Sequence, residues 1–485
     1  MNRLTNILYF APFLIGLCNW HSPLHASVDP LLPDMGSSER RILNPHDERD
    51  MGILFMREVR KSLTLSSDVS LVHYISQIGK RLLATTLSRK RTATFFIVED
   101  NSINAFAGPD GHIGIHSGLI LATHNESELA AVMAHEIAHV LQNHLARQLE
   151  NQKNLNLPSM AAILGAIILS GNNPKLGNAA LATTLAGSRQ LSLNFSRQHE
   201  READYIGLRI LAEAGFNPQG MADFFSRLHQ KTEWLHENTP ELLRTHPVTL
   251  SRLAESRQQA SQWPKTGYRE AFQYHTMRSR LNAEQQNTRS SWPLSSLGTL
   301  SDTTLINTYQ KALKQLNARR YPQALRMATQ LLRKSPNRIP FILLAADIEQ
   351  QQNAPQKAIQ RLTSALELFP EHPVITAKLA RLYLTTHQAK PATILLKYLI
   401  QQQPLNTENY RLMATAQGQL SRAENMHRYM AEYHFLSGHF TLAIEQLERA
   451  LKETQVTSLQ ESLRARKEEM EDFLKADVIQ RIKFR

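Results

Sequence analysis

The pentapeptide His135-Glu136-Ile137-Ala138-His139 carries the densest chemistry in the chain. Residues four apart on a helix lie about 40° apart around its axis. His135 and His139 then share a face and can close on one divalent metal, with Glu136 one residue on. Glu136 is placed to act as general base on a water held there. Two protein ligands are too few, because a catalytic zinc takes three and keeps one position open. Glu200 and Asp204 are also four apart. Glu200 is the candidate third ligand, with His199 its main rival; Glu202 points away if Glu200 points in. Asp204 can accept a hydrogen bond from the free ring nitrogen of a ligating histidine, in the first place His135. The expectation is one Zn²⁺ per chain on His135, His139 and Glu200.

His246 lies in Thr245-His246-Pro247. The proline biases it out of helix, where loop residues can face a cleft. Three readings stay open: a donor to the oxyanion of the transition state, a fourth metal ligand that holds the enzyme off, or the cap of a helix at 247–258. Glu136, His246 and Asp204 form the candidate catalytic set. Arg252 fits a structural ion pair as well as a substrate role. His144, nine residues after His135, is expected on the opposite face as a surface histidine.

These side chains need two helices to hold them. The first runs from about Asn125 to Glu150, opened by Asn125 and Glu128 in a capping-box-like start. The second opens at 195–204 and continues through Leu208 and Leu211. Ile113–Leu119 follows a Pro-Asp-Gly turn and is expected as the edge strand beside the metal helix. An edge strand can bind an extended peptide through its main chain. Roughly 60 residues separate the two helices, more than a connection requires. Their middle, Met160–Ala186, is expected to be a core hairpin, a lid or a membrane-facing segment.

With these motifs in place, the chain resembles the zinc peptidases related to the CAAX prenyl protease and HtpX. The resemblance rests on HEIAH at 135–139, EREAD at 200–204, THP at 245–247, and Asn104–Gly111 followed by His112–Leu119. It covers roughly residues 40–262. Ala138 and Asp110 depart from it, standing where relatives often carry Gly.

The C-terminal third repeats with one fixed step. Ala324, Ala358 and Ala392 keep it, as do Pro336, Pro370 and Pro404, and Ala312, Ala346, Ala380 and Ala414. This is tetratricopeptide (TPR) spacing: small residues where paired helices touch, and proline after the second helix. Ala431, Gly438, Phe440 and Ala443 then fall about half a period out of step, so an irregular or inserted helix is expected near 421–436. A last helix at about 457–474 can cap the stack. Such solenoids present a concave face to protein partners.

The expected fold is therefore mostly α: an α+β metallopeptidase domain over 27–264, a linker over 265–300 with one helix near 268–283, and a TPR solenoid over 301–485. Residues 1–26 read as a cleaved secretory signal, with Arg3, a short apolar stretch and Ala26 at the cleavage point. The apolar stretch is too short to span a bilayer. It also holds Cys18, the one cysteine of 485 residues, which excludes a disulfide framework and suits an oxidising compartment. Hydrophobic content of 42% and charged content of 20% exclude a disordered chain.

Signal, peptidase and repeat in this order resemble the β-barrel assembly-enhancing proteases of Gram-negative periplasms, with a gluzincin-type catalytic domain. The resemblance implies a periplasmic location and degradation of misfolded outer-membrane proteins. It also implies a chaperone-like role and docking of the TPR on the outer-membrane assembly machinery. An interaction protein with a silent zinc site is the competing class; the complete set of Glu136 and ligands argues against it. The net charge is +12. Residues 27–264 carry −1 and residues 301–485 carry +9, so the basic character belongs to the repeat. That points to an acidic protein face, or to peripheral contact with an anionic membrane surface. No basic motif with interleaved aromatics is present, so nucleic acid is not expected as a partner.

Overall fold

The computed structural model describes residues 45–86, 93–150, 196–234, 240–264, 268, 271–285 and 300–483. The expected signal at 1–26 and the segment Met160–Ala186 lie outside the described residues. The fold is mostly helical, with one small sheet in the N-terminal unit.

Helix α1 spans Pro45–Ser62 and α2 spans Val69–Leu83, capped by Asp68, whose carboxylate accepts from the amides of Ser70 and Leu71. Three short strands follow: β1 (Thr94–Val98), β2 (Ala105–Ala107) and β3 (His112–His116). The order is β1-β3-β2, with β1 parallel and β2 antiparallel to β3. The segment expected at the edge is therefore the central strand, and residues 117–122 already form helix α3 (Ser117–Ala122). Every residue of β3 is buried, as a strand covered on both faces must be. That two-sided burial is why its residues do not alternate. The outer side of β1 is bridged by Leu65, which leaves β2 as the other edge, against the metal helix. Asp110 adopts φ 55° in the turn before β3. Left-handed backbone suits Gly best and tolerates Asp, which accounts for the exchange at this position.

Helix α4 (Glu126–Leu141) is capped by Asn125, whose side chain accepts from the Glu128 amide. The Glu128 carboxylate turns back to the His124 amide and forms a forked pair with Arg227. Asn143, at φ 53°, ends this run, and α5 (His144–Glu150) begins in a new direction. Helix α6 (Arg197–Glu213) packs along α4. At their crossing a Cβ on Gly207 would meet the Ala134 backbone at 3.1 Å, so the glycine lets the two helices approach. Helices α7 (Gln219–Trp234), α8 (Glu241–Thr245) and α9 (Leu250–Ala260) complete this side.

The segment expected as a linker carries α10 (Phe272–Glu284). Its Tyr274, Met277 and Leu281 join the same apolar core as the sheet, α4 and α6. This helix is thus part of the core of the N-terminal unit. The Tyr274 and Thr123 hydroxyls lie 2.9 Å apart, and Arg278 donates to the Leu121 carbonyl at 2.7 Å.

The solenoid then runs as paired helices: α11 (Leu300–Asn317), α12 (Tyr321–Lys334), α13 (Ile339–Gln351), α14 (Pro355–Leu368), α15 (Pro373–Thr385), α16 (Ala389–Gln402), α17 (Thr407–Gln419), α18 (Ala423–Leu436), α19 (Phe440–Glu453) and α20 (Thr457–Lys483). Arg319, Asn353, His387 and Ser421, each one period after the last, take φ of 56°, 58°, 57° and 56° in the turn inside each pair.

The expected irregular or inserted helix is absent at 421–436. α18 is a regular helix of 14 residues, like α12, α14 and α16. Half a period is one helix, so the small-residue pattern has moved onto the neighbouring helix without an insertion. Gly438 stands one full period after Pro404, in the proline series, yet takes φ 79°. Proline, locked near −65°, cannot do this. The turn after α18 is of the kind found inside a pair, so α18 is the second helix of one pair and the first of the next.

Among the described residues, contacts at several points tie the solenoid to the N-terminal unit, including the His73 ring of α2 at 5.2 Å from His372. Near its start, Arg280 of α10 pairs with Asp68 and lies 3.3 Å from Asp347, which also meets Lys378. Near its end, Met51 and Leu54 of α1 share a core with Ala431, Phe435, Phe440, Leu447 and Met470. Arg60 donates to the Leu436 carbonyl. A Cβ on Gly438 would collide with Cγ of Arg57. Gly438→Val is expected to cost about 1–3 kcal/mol, from positive φ and the clash together. A urea midpoint equal to wild type would contradict the packing of α1 on this turn. No helix among the described residues is long and apolar enough to cross a membrane.

Candidate metal centre

Helices α4 and α6 bring His135, His139 and Glu200 together, and the loop after α8 adds His246. One donor atom from each lies within 4.8 Å of all the others, and all four residues are buried. Nε2 of His135 and Nε2 of His139 are 3.0 Å apart. The Glu200 carboxylate oxygens sit 3.6 Å from each of these nitrogens. Nδ1 of His246 is 2.8 Å from Oε1 of Glu200 and 3.4 Å from Nε2 of His135. Four tetrahedral ligands at about 2.0–2.1 Å from zinc would stand roughly 3.3 Å from one another. The donor atoms present fit such an ion in kind and in spacing.

Charge leads to the same fit. Glu136, Glu200 and Asp204 are three buried carboxylates against one buried guanidinium, Arg252. The two negative charges left over are costly in a dry interior, and a divalent cation balances them. Burial pushes the Glu200 carboxyl up, but His246 and His135 outweigh it and hold it far below the carboxylate range. Burial also disfavours the His135 cation, yet Asp204 and Glu200 raise it to about 10. His139 is driven well below its usual value by burial and by His135 and His246 beside it. A metal at this centre competes with protons for these ring nitrogens.

Both carboxylate oxygens of Glu136 are buried without a hydrogen-bond partner among the described residues, and Oε1 lies 3.7 Å from Nε2 of His246. A carboxylate with no hydrogen bond on either oxygen, set beside a cluster of metal donors, is placed within reach of a water held there. Nδ1 of His135 is 3.0 Å from Oδ1 of Asp204, in contact but off the straight line of a good hydrogen bond. The structure thus brings all six candidate residues to one place.

It adds two more that sequence reasoning had not placed there. Arg252 forks onto Asp204 with Nε and Nη2 at 2.7 and 2.8 Å. Its Nη1 reaches Glu200 at 2.8 Å and donates to the Pro247 carbonyl at 2.8 Å. One guanidinium thereby fixes both carboxylates and the loop that carries His246. Its signal in the sequence was only its place after the Thr-His-Pro loop. His144, expected on the surface, is fully buried, with Nδ1 2.9 Å from Nδ1 of His139. The helical wheel fails there because α4 stops before it, at the left-handed Asn143. His199, the rival ligand, stacks on His144 at 4.4 Å, and Glu202 points to His144 and Arg147. His246 does not cap the next helix: Thr249 does, accepting from the Arg252 amide.

The chain matches the model of peptidase family M48 over residues 71–260 and a tetratricopeptide repeat model over 349–416. It is 33% identical over 445 residues to the β-barrel assembly-enhancing protease of Escherichia coli (strain K12), covering 91% of each chain. The protease of that name from Yersinia pestis is 34% identical over 436 residues, 89% of this chain and 90% of that one. A mitochondrial metalloendopeptidase of Schizosaccharomyces pombe is 29% identical over 180 residues, 37% of this chain and 50% of its own.

Proposed function

Because the chain belongs to the β-barrel assembly-enhancing proteases of peptidase family M48, we propose that it is a zinc endopeptidase of the periplasm. It degrades misfolded outer-membrane β-barrel precursors, aids barrel assembly as a chaperone, and docks on the assembly machinery through its basic solenoid. The observation that carries the reading is the convergence of four buried donors beside an unpartnered Glu136. Likeness over nine-tenths of both chains supports the substrate class.

Zinc at this centre supplies Lewis acidity to a water and to the scissile carbonyl. His135, His139 and Glu200 hold it. Asp204 orients the His135 ring, and Arg252 orients Asp204. Glu136 takes the proton of the attacking water and returns it to the amine as the C–N bond breaks. An extended substrate segment pairs with the β2 edge, main chain to main chain, which asks little of its sequence.

His246 is the fourth donor, and its position inside the cluster favours a gate. A closed four-ligand set is structural in character, whereas hydrolysis needs an open position. His246 would close the site as a fourth ligand, and without it the position a water needs would be open. The expected result is that wild type cleaves casein slowly, loses this with a chelator and regains it with zinc. His246→Ala is expected to cleave faster and to bind zinc less tightly. Cleavage that survives the chelator would sink the metal mechanism. Equal rates and equal zinc affinity in the two proteins would sink the gate.

A further inference from the structure

The two ligand histidines are not supported alike. The far nitrogen of His135 faces a carboxylate, Asp204, at 3.0 Å. That of His139 faces another imidazole, with Nδ1 of His144 at 2.9 Å. Nε2 of His144 then lies 3.1 Å from Oε2 of Glu202, and that same oxygen is 3.2 Å from Nη1 of Arg147. The His199 ring lies flat against His144 at 15°, which holds its plane.

Proton accounting orders this row. If His139 binds the ion through Nε2, its only proton is on Nδ1, which donates to His144. Nδ1 of His144 must then be bare, and its proton is on Nε2, aimed at Glu202. We infer that His144 and Glu202, with Arg147 behind them, are positioning residues that fix the ring angle and tautomer of His139 toward the ion. This rests on the metal reading given above and extends it to the other side of the site. The device is local: the left-handed Asn143 turns the chain so that His144 comes back over His139 one turn after the helix has ended.

Loss of a partner of this kind weakens metal binding by about 10–100-fold. The test uses full-length protein stripped of metal, titrated with zinc against a chromophoric chelator. The rate of zinc loss to excess chelator and the thermal midpoint of the metal-free form are recorded alongside. His144→Ala is expected to lose about 10–100-fold in zinc affinity. His144→Asn places Oδ1 where Nδ1 stood, so it keeps the acceptor for His139 and is expected to recover most of the loss. Glu202→Ala changes a half-buried residue with little risk to folding and is expected to release zinc faster. An affinity of His144→Ala equal to wild type overturns the inference. So does His144→Asn as weak as His144→Ala at the same metal-free midpoint, since a merely structural role would not respond to the acceptor atom. Should His144→Ala not fold, an unchanged rate of zinc loss from Glu202→Ala overturns it equally. A wild-type protein that takes up no zinc removes the metal reading itself, and this inference with it.

Discussion

Glu136→Gln is expected to lower casein cleavage by about 10²–10⁴-fold, the range for loss of a positioned general base. The substitution keeps the shape of a side chain that is only 1% exposed. It removes one negative charge and the basicity, and it contributes none of the four donor atoms, although its Oε1 lies 3.7 Å from Nε2 of His246. All four donor atoms remain, so the protein should still bind zinc, less tightly by the one charge removed, while turnover collapses. The protein would still bind extended segments along β2, so the variant should hold substrate that it cannot cut. Expressed in its native compartment and captured, it should carry unfolded barrel precursors at the peptidase and assembly components at the solenoid. Retention of more than a tenth of wild-type turnover would remove Glu136 from the mechanism.

Arg252→Ala is expected to destabilise the protein by about 3–5 kcal/mol, the cost of leaving buried partners uncompensated. The guanidinium is 4% exposed and serves two carboxylates and a carbonyl at once. It also lies over the Phe225 ring at 5.3 Å, so packing is lost with the charge. Arg252→Lys supplies a point charge that cannot fork, and should recover only part of the loss. Added zinc should lessen the defect, because the ion offsets the same two carboxylates. Urea unfolding with and without zinc reads all of these. A change as small as that of an ordinary surface position, about 0.5 kcal/mol or less, would show that the pairing does not hold the site together.

Much of the centre was legible because α-helical spacing is a local property. His135 with His139, and Glu200 with Asp204, need only one turn of helix each to be placed. Arg252 was not legible in the same way. Its partners lie 48 residues away for Asp204, and no local rule says which acid a lone arginine will meet. His144 was misplaced because the wheel was carried past the real end of the helix, although Asn143, of a residue type that tolerates left-handed backbone just past a helix, marks that end. The edge position assigned to residues 113–119 failed for a related reason. Strand order is set by partners from elsewhere, here Phe95–Val98 and Ala105–Ala107. The solenoid period was plain, since alanine is needed wherever two helices touch. Its half-step at α18 looked like an insertion because the pattern records contacts, and one helix can make contacts of both kinds.

Helix α1 has a consequence for the timing of synthesis. The contact from Arg60 to Leu436 closes over 376 residues. At about 5–20 residues per second, the partners of Met51 and Leu54 follow roughly 20–85 s behind them. Until then one flank of the helix beside the β2 edge has no cover. The scaffold around β2 is thus completed last, when the final helices of the solenoid return to α1.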